Sequence, residues 1–213
     1  MAIAASLGGP RAIGEVLSSI PPDFPSAIVV VQHLSPYKPS WMVELLSGYT
    51  ALKVWWAEEG CRLLPGTVIV APPDRHVLVS RHGILSLSQS PRVCFSRPAA
   101  DPLFESVAMR FRERAIAVVL TGSLDDGSSG VRSVKKMGGR VLVQDKATSE
   151  CFSMPNAAIN TGCVDFVLPL KKIASALVSL VMVRGAATLF QVSAVHSDCL
   201  LRELLVPWGG KNG

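Results

Sequence analysis

Short apolar runs rich in Val and Ile alternate along this chain with longer mixed segments. The runs "MAIAAS" (1–6), "AIVVVQH" (27–33), "TVIVA" (67–71), "AIAVVLTG" (115–122) and "GRVLVQ" (139–144) are continuously apolar instead of alternating. That pattern predicts parallel strands covered on both faces. Helices are predicted between them, at about 10–19, 39–48, 102–113, 128–137 and 170–183. Pro10, Pro39 and Pro102 stand near first turns, and Ser128 precedes a periodic segment. "HVLVSRHGILSLS" (76–88) breaks the rhythm: two β-rich runs flank "RHG", the signature of a β-hairpin added to the sheet. The whole predicts an open α/β fold ending near residue 183, followed by a tail (184–213) in which "HSDCLLRELLVPW" suits a short amphipathic helix.

Composition narrows the class. With 49% hydrophobic and 17% charged residues, the 213-residue chain can bury a sizeable core and does not resemble a disordered one. The net charge of +5 gathers partly in Arg110, Arg112 and Arg114 and in Arg132, Lys135 and Lys136. Both clusters suit an acidic partner or, equally, a solvated helix face, and no aromatic residues interleave with them as a nucleic-acid platform requires. The 5 cysteines are scattered and form no C-x-x-C pair, so reduced thiols in a cytoplasmic protein are expected. No basic segment marks the short apolar N-terminus as a signal peptide, and no apolar run is long enough for membrane insertion. With 4 histidines and no helical His pair, neither a metal site nor a cofactor is expected. "SLGGPRA" matches neither G-x-G-x-x-G nor the P-loop.

Chemistry in an open parallel sheet gathers at the carboxyl ends of the strands. Those ends supply Ser6, then Gln32 and His33, then the segment from Ser123 to Gly127 that contains Asp125 and Asp126. A hydroxyl, an imidazole and a carboxylate are the parts of a hydrolytic triad. Each also has an ordinary reading: a turn serine, a structural histidine, a helix-capping aspartate. Gly8, Gly9 and Pro10 permit a tight turn into a helix whose N–H groups face a developing oxyanion, and Gly122 with the turn after it is a possible second donor. Spacing alone leaves Asp125 and Asp126 equivalent. His76 opens a strand, His82 falls in the hairpin turn and His196 in the tail.

Taken together, these motifs resemble the catalytic domain of the CheB family of chemotaxis protein-glutamate methylesterases, over about residues 2–183. "AASLGGPRAI" resembles the family's S-T-G-G-P turn, "VVVQHLSP" its Q-H segment, and "APPDRHVLV" its A-P-x-x-x-H strand start. "SRPAADPLFESVA" resembles R-P-S-x-D-x-L-F, and "VVLTGSLDDGSSG" resembles L-T-G-M-G-x-D-G-A-x-G. "VQDKATSECFSMPNAAINTGCVDFVLPL" resembles the family's closing Q-D…M-P-x-x-A…V-D-x-V-L-P-L. The resemblance implies a doubly wound, mostly parallel sheet with helices on both faces. It makes Ser6 the nucleophile, His33 the base and Asp126 the acid, with no cofactor. It implies hydrolysis of glutamate methyl esters on the cytoplasmic helices of chemoreceptors, releasing methanol, with glutamine deamidation as a companion activity. The alternatives are a non-catalytic receptor-binding relative and an esterase for another modified protein. Leu7 replaces the family's Thr, and Ser123-Leu124 its Met-Gly. A receiver domain, the family's usual regulator, is not visible and is an expected partner. Arg97 is expected either to grip a receptor carboxylate or to pin its own loop.

Overall fold

The structure is a computed structural model that describes residues 1–182. The predicted tail therefore lies outside the described residues. In chain order the elements are β1 (Ala2–Ala5), α1 (Gly9–Ser18), β2 (Ala27–Gln32), α2 (Met42–Ser47), β3 (Lys53–Trp56), β4 (Thr67–Val70), β5 (His76–Val79) and β6 (Leu85–Ser88). There follow α3 (Ala100–Phe111), a 3₁₀ turn (Arg112–Arg114), β7 (Ile116–Val119), α4 (Ser128–Lys136), β8 (Arg140–Gln144), α5 (Ser153–Asn160), β9 (Phe166–Leu168) and α6 (Leu170–Met182).

Seven strands form one parallel sheet in the order β3-β4-β2-β1-β7-β8-β9. Its continuous apolar runs fold this way because side chains alternate between two buried faces. Ile3, Ala5, Ile28, Val30, Val68, Val70, Val118 and Leu120 project toward α1, α2 and α6. Ala2, Ala4, Val29, Val31, Ala117, Val119 and Val141 project toward α3, α4 and α5. The chain runs outward from β1 through β2 and β4, then restarts on the other side with β7. The strand order thus switches between β1 and β7.

The hairpin forms as predicted, with Val79 opposite Leu85, but it does not extend the main sheet. It is a separate two-stranded sheet, held by the burial of Val77, Val79 and Leu85 in the α3 layer. Helix α2 is shorter than its predicted span and begins after Pro39, at Met42. Strands β3 and β9 and helix α5 were not anticipated. "KVWW" carries an exposed lysine and three half-buried residues, β9 has 3 residues, and α5 contains Pro155 in its first turn. Cys61, Cys94 and Cys151 are free thiols, as expected.

Candidate active site

The sheet's register sets the site. Ala5 pairs with Gln32, and the His33 N–H donates to the Ala5 carbonyl at 3.1 Å, so Ser6 and His33 are neighbours just past two adjacent strands. On the other side the Ser6 N–H donates to the Thr121 carbonyl at 3.0 Å. Ser6 therefore stands at the switch point between β1 and β7, where doubly wound sheets open a crevice. By strand alternation its side chain shares a face with that of His33.

A tight turn leads from Ser6 into α1. The Ser6 carbonyl accepts from the Gly9 N–H at 2.9 Å, and Gly8 has φ 76° and ψ −3°, the third-residue conformation of a type II turn that favours glycine. Gly9 is needed for a different reason: a Cβ there would collide with the Gln32 side chain. The buried Gln32 amide fastens the turn, its Nε2 donating to the carbonyls of Ser6 at 2.8 Å and His33 at 3.2 Å. The N–H groups of Leu7 and Gly8 have no partner among the described residues. They are open to a developing oxyanion. Gly122 is not, because its N–H donates to the Cys151 carbonyl at 2.9 Å, so any further donor must come from the turn after it.

The imidazole and the carboxylate meet. His33 Nε2 lies 2.7 Å from Asp126 Oδ2, with side-chain exposures of 11% and 0%. The buried Asp126 carboxylate also accepts the first-turn N–H groups of α3, Ala100 to Oδ2 at 2.6 Å and Asp101 to Oδ1 at 3.1 Å. Fixed donors and the positive end of a helix dipole thus replace water around this charge. Asp125 is exposed, with the Cys94 thiol as its neighbour and no contact to His33, so the geometry separates the two aspartates that spacing left equivalent. With Nε2 engaged, Nδ1 is the His33 nitrogen left to accept a proton. Among the described residues the Ser6 hydroxyl makes no hydrogen bond, to His33 or to any other group. Serine–histidine contacts of this kind often close only around substrate.

The sequence assigned no role to two neighbours of the site. Asp101 has its carboxylate on the Gly130 N–H at 2.7 Å, so α3 and α4 cap each other: Asp126 serves α3 while Asp101 serves α4. An Asp beside Pro at a helix start is ordinary capping chemistry, and nothing in its spacing points to a second helix. Leu124, where the family pattern has glycine, adopts φ 67°, a strained conformation for a branched side chain.

Other histidines stay apart. His76 is buried, its Nε2 on the Pro91 carbonyl at 3.1 Å, and burial holds its proton affinity below the usual range. His82 sits exposed in the hairpin turn, and His196 lies outside the described residues. Arg97 binds inward. Its Nε and Nη2 donate to Asp74 at 3.0 and 2.7 Å, and its Nη1 to the carbonyls of Gln89 and Ser90 at 2.8 and 2.9 Å. Arg97 pins its own loop, and its hydrogen bond holds the Asp74 carboxyl below its ordinary range. Among the described residues, no helix is long and apolar enough to cross a membrane.

Fold and site together define a doubly wound α/β domain with a serine, a histidine and a buried aspartate assembled at the switch point. Residues 1–177 match the CheB methylesterase family model, and the chain belongs to that family. It is 45% identical over 175 residues to a protein-glutamate methylesterase/protein-glutamine glutaminase 2 of Anaeromyxobacter dehalogenans, covering 82% of this chain and 51% of that protein. It is 42% identical over 181 residues to the protein-glutamate methylesterase FrzG of Myxococcus xanthus, covering 85% and 54%. The crystal structure of the Thermotoga maritima CheB methylesterase catalytic domain superimposes with a TM-score of 0.82 at 37% identity, covering 84% of this chain and 97% of that one. The chain spans about half the length of the curated relatives it matches.

Proposed function

We propose that this chain is a serine esterase that hydrolyses glutamate γ-methyl esters on the cytoplasmic helices of chemoreceptors. Glutamine side chains are its second substrate. The observation that carries the reading is the 2.7 Å contact between His33 and Asp126 beside Ser6 in a member of this family.

Ser6 Oγ attacks the ester carbonyl while His33 Nδ1 takes its proton. Asp126 holds the ring by Nε2–H and stabilises the cation that forms. The tetrahedral oxyanion lies against the free N–H groups of Leu7 and Gly8. Collapse breaks the C–O bond, and His33 returns the proton to the departing methoxide, which leaves as methanol. A water, deprotonated by His33, then cleaves the acyl-serine to give glutamate and regenerate the hydroxyl. With a glutamine side chain the leaving group is ammonia. We place the reaction in the cytoplasm, with a receiver domain as the source of control.

The test is reaction with a fluorophosphonate probe followed by peptide mapping, alongside methanol release from a methylated receptor fragment. The reading expects the label on Ser6 and loss of methanol release in step with labelling. A protein that binds the fragment but releases no methanol is instead a docking relative. Turnover of other protein esters alone indicates a different substrate.

A further inference from the structure

Asp101 is a buried carboxylate that the mechanism above leaves without a task. Its Oδ1 accepts the Gly130 N–H at 2.7 Å, and its own backbone N–H donates to Asp126 at 3.1 Å. The surrounding groups come from every packed element. Glu105 lies one turn along α3, Asp126 and the Gly127 N–H come from the loop before α4, and the Cys94 thiol from the loop before α3. Ligand atoms of Cys94, Asp101 and Asp126 lie within 4.8 Å of one another. Among the described residues no lysine or arginine is paired with Asp101. Burial, the Asp126 charge and the Glu105 charge push its carboxyl up to about 6, against the opposing bonds from Gly130 and Gly127.

A helix cap alone does not call for a charge here, since asparagine caps as well as aspartate. We propose that Asp101 is a positioning residue for the Asp126–His33 pair, tying the loop that carries Asp126 to α3 and placing a second negative charge behind the imidazole. The proposal rests on the esterase reading for its kinetic consequences, but not for its structural ones. The second charge favours the imidazolium that forms as Ser6 attacks. It also costs folding stability. Because the folded chain holds this proton more tightly than the unfolded chain, Asp101 weakens the fold in full above about pH 6, and the cost fades as pH falls from there to the ordinary carboxylate range, below which it is gone.

Asp101→Asn separates the cap from the charge. It keeps an acceptor for Gly130 and removes the charge beside Asp126. Relative to wild type, its melting temperature should be more favourable at pH 8 than at pH 4.5, by several degrees. Its kcat for ester hydrolysis should fall about threefold with KM unchanged, and the acid limb of its pH profile should move down by about half a unit. The His33 imidazole resonances, followed by NMR, should show the same downward shift even in a preparation with no esterase activity. That readout distinguishes failure of this proposal from failure of the functional reading. Wild type supplies a second test independent of the variant's folding: the Asp101 carboxyl carbon should titrate near pH 6. An unmoved His33 midpoint in Asp101→Asn, or an Asp101 midpoint below about 4.5 in wild type, overturns the proposal.

Discussion

Asp126 does two jobs with one carboxylate, and replacing it with asparagine should expose both. In wild type Oδ2 accepts from His33 at 2.7 Å and from the Ala100 N–H at 2.6 Å, while Oδ1 accepts from the Asp101 N–H at 3.1 Å. Asparagine has one acceptor oxygen. The less damaging rotamer keeps it on His33 and Ala100 and turns the NH₂ toward the Asp101 N–H, donor against donor. One buried N–H is then unsatisfied, at a cost of about 1–3 kcal/mol. In a chain of this size each kcal/mol moves the melting temperature by roughly 2–4 °C, so a drop of roughly 2–12 °C is expected. Catalysis should suffer far more. An amide neither stabilises the imidazolium nor enforces its tautomer, and the corresponding change in other triads costs about 10⁴-fold, or about 5.5 kcal/mol of barrier. The exposed Asp125 is the control: Asp125→Asn should melt within about 0.5 kcal/mol of wild type and keep its activity. The assays are methanol release and thermal melting on the same preparations. Asp126→Asn working within tenfold of wild type, or Asp125→Asn failing as badly, refutes the assignment.

Other substitutions probe the frame around the serine. Gly122→Ala puts a Cβ into Met154 and 2.9 Å from the Ser6 Cβ; overpacking should cost about 1–3 kcal/mol, and a displaced hydroxyl about 100-fold in kcat, read from melts and turnover. Leu124→Gly releases the strain at φ 67°, worth about 1–2 kcal/mol before glycine's extra chain entropy, so the melting temperature should hold or rise by a few degrees. Arg97→Ala leaves Asp74 and the carbonyls of Gln89 and Ser90 without their donor. It should lower the melting temperature by several degrees and slow receptor and small-ester turnover alike. A loss confined to intact receptor, with reduced salt sensitivity, points instead to a receptor contact.

What could be read from sequence followed physical strength of signal. Continuous Val/Ile runs announce β1, β2, β4, β7 and β8, because strands buried on both faces leave no room for polar residues. Edge elements say less: β3 mixes Lys53 with two tryptophans, and β9 is shorter than any useful period. Ser6 and His33 were accessible because strand ends are identifiable one at a time. Spacing alone did not separate Asp125 from Asp126, and only the family resemblance chose Asp126, since the geometric reason is where the first turn of α3 lies, more than 20 residues earlier in the chain. Gly122 illustrates the opposite error. A glycine at the right place resembles an anion donor until its N–H is found on Cys151. Gln32 reads as a strand end and Asp101 only as one position of a family motif; their reach to other elements exists only in three dimensions.

The central claim is that Ser6 attacks a glutamyl methyl ester with help from His33. It is tested most directly by the rate of methanol release from a methylated receptor fragment, with wild-type protein and a folded Ser6→Ala variant side by side. Wild type should release methanol steadily. Ser6→Ala, with an unchanged melting temperature, should retain only the residual rate that a triad without its nucleophile supports, on the order of 10³–10⁴-fold over water. Ser6→Ala releasing methanol at a rate near that of wild type contradicts the account.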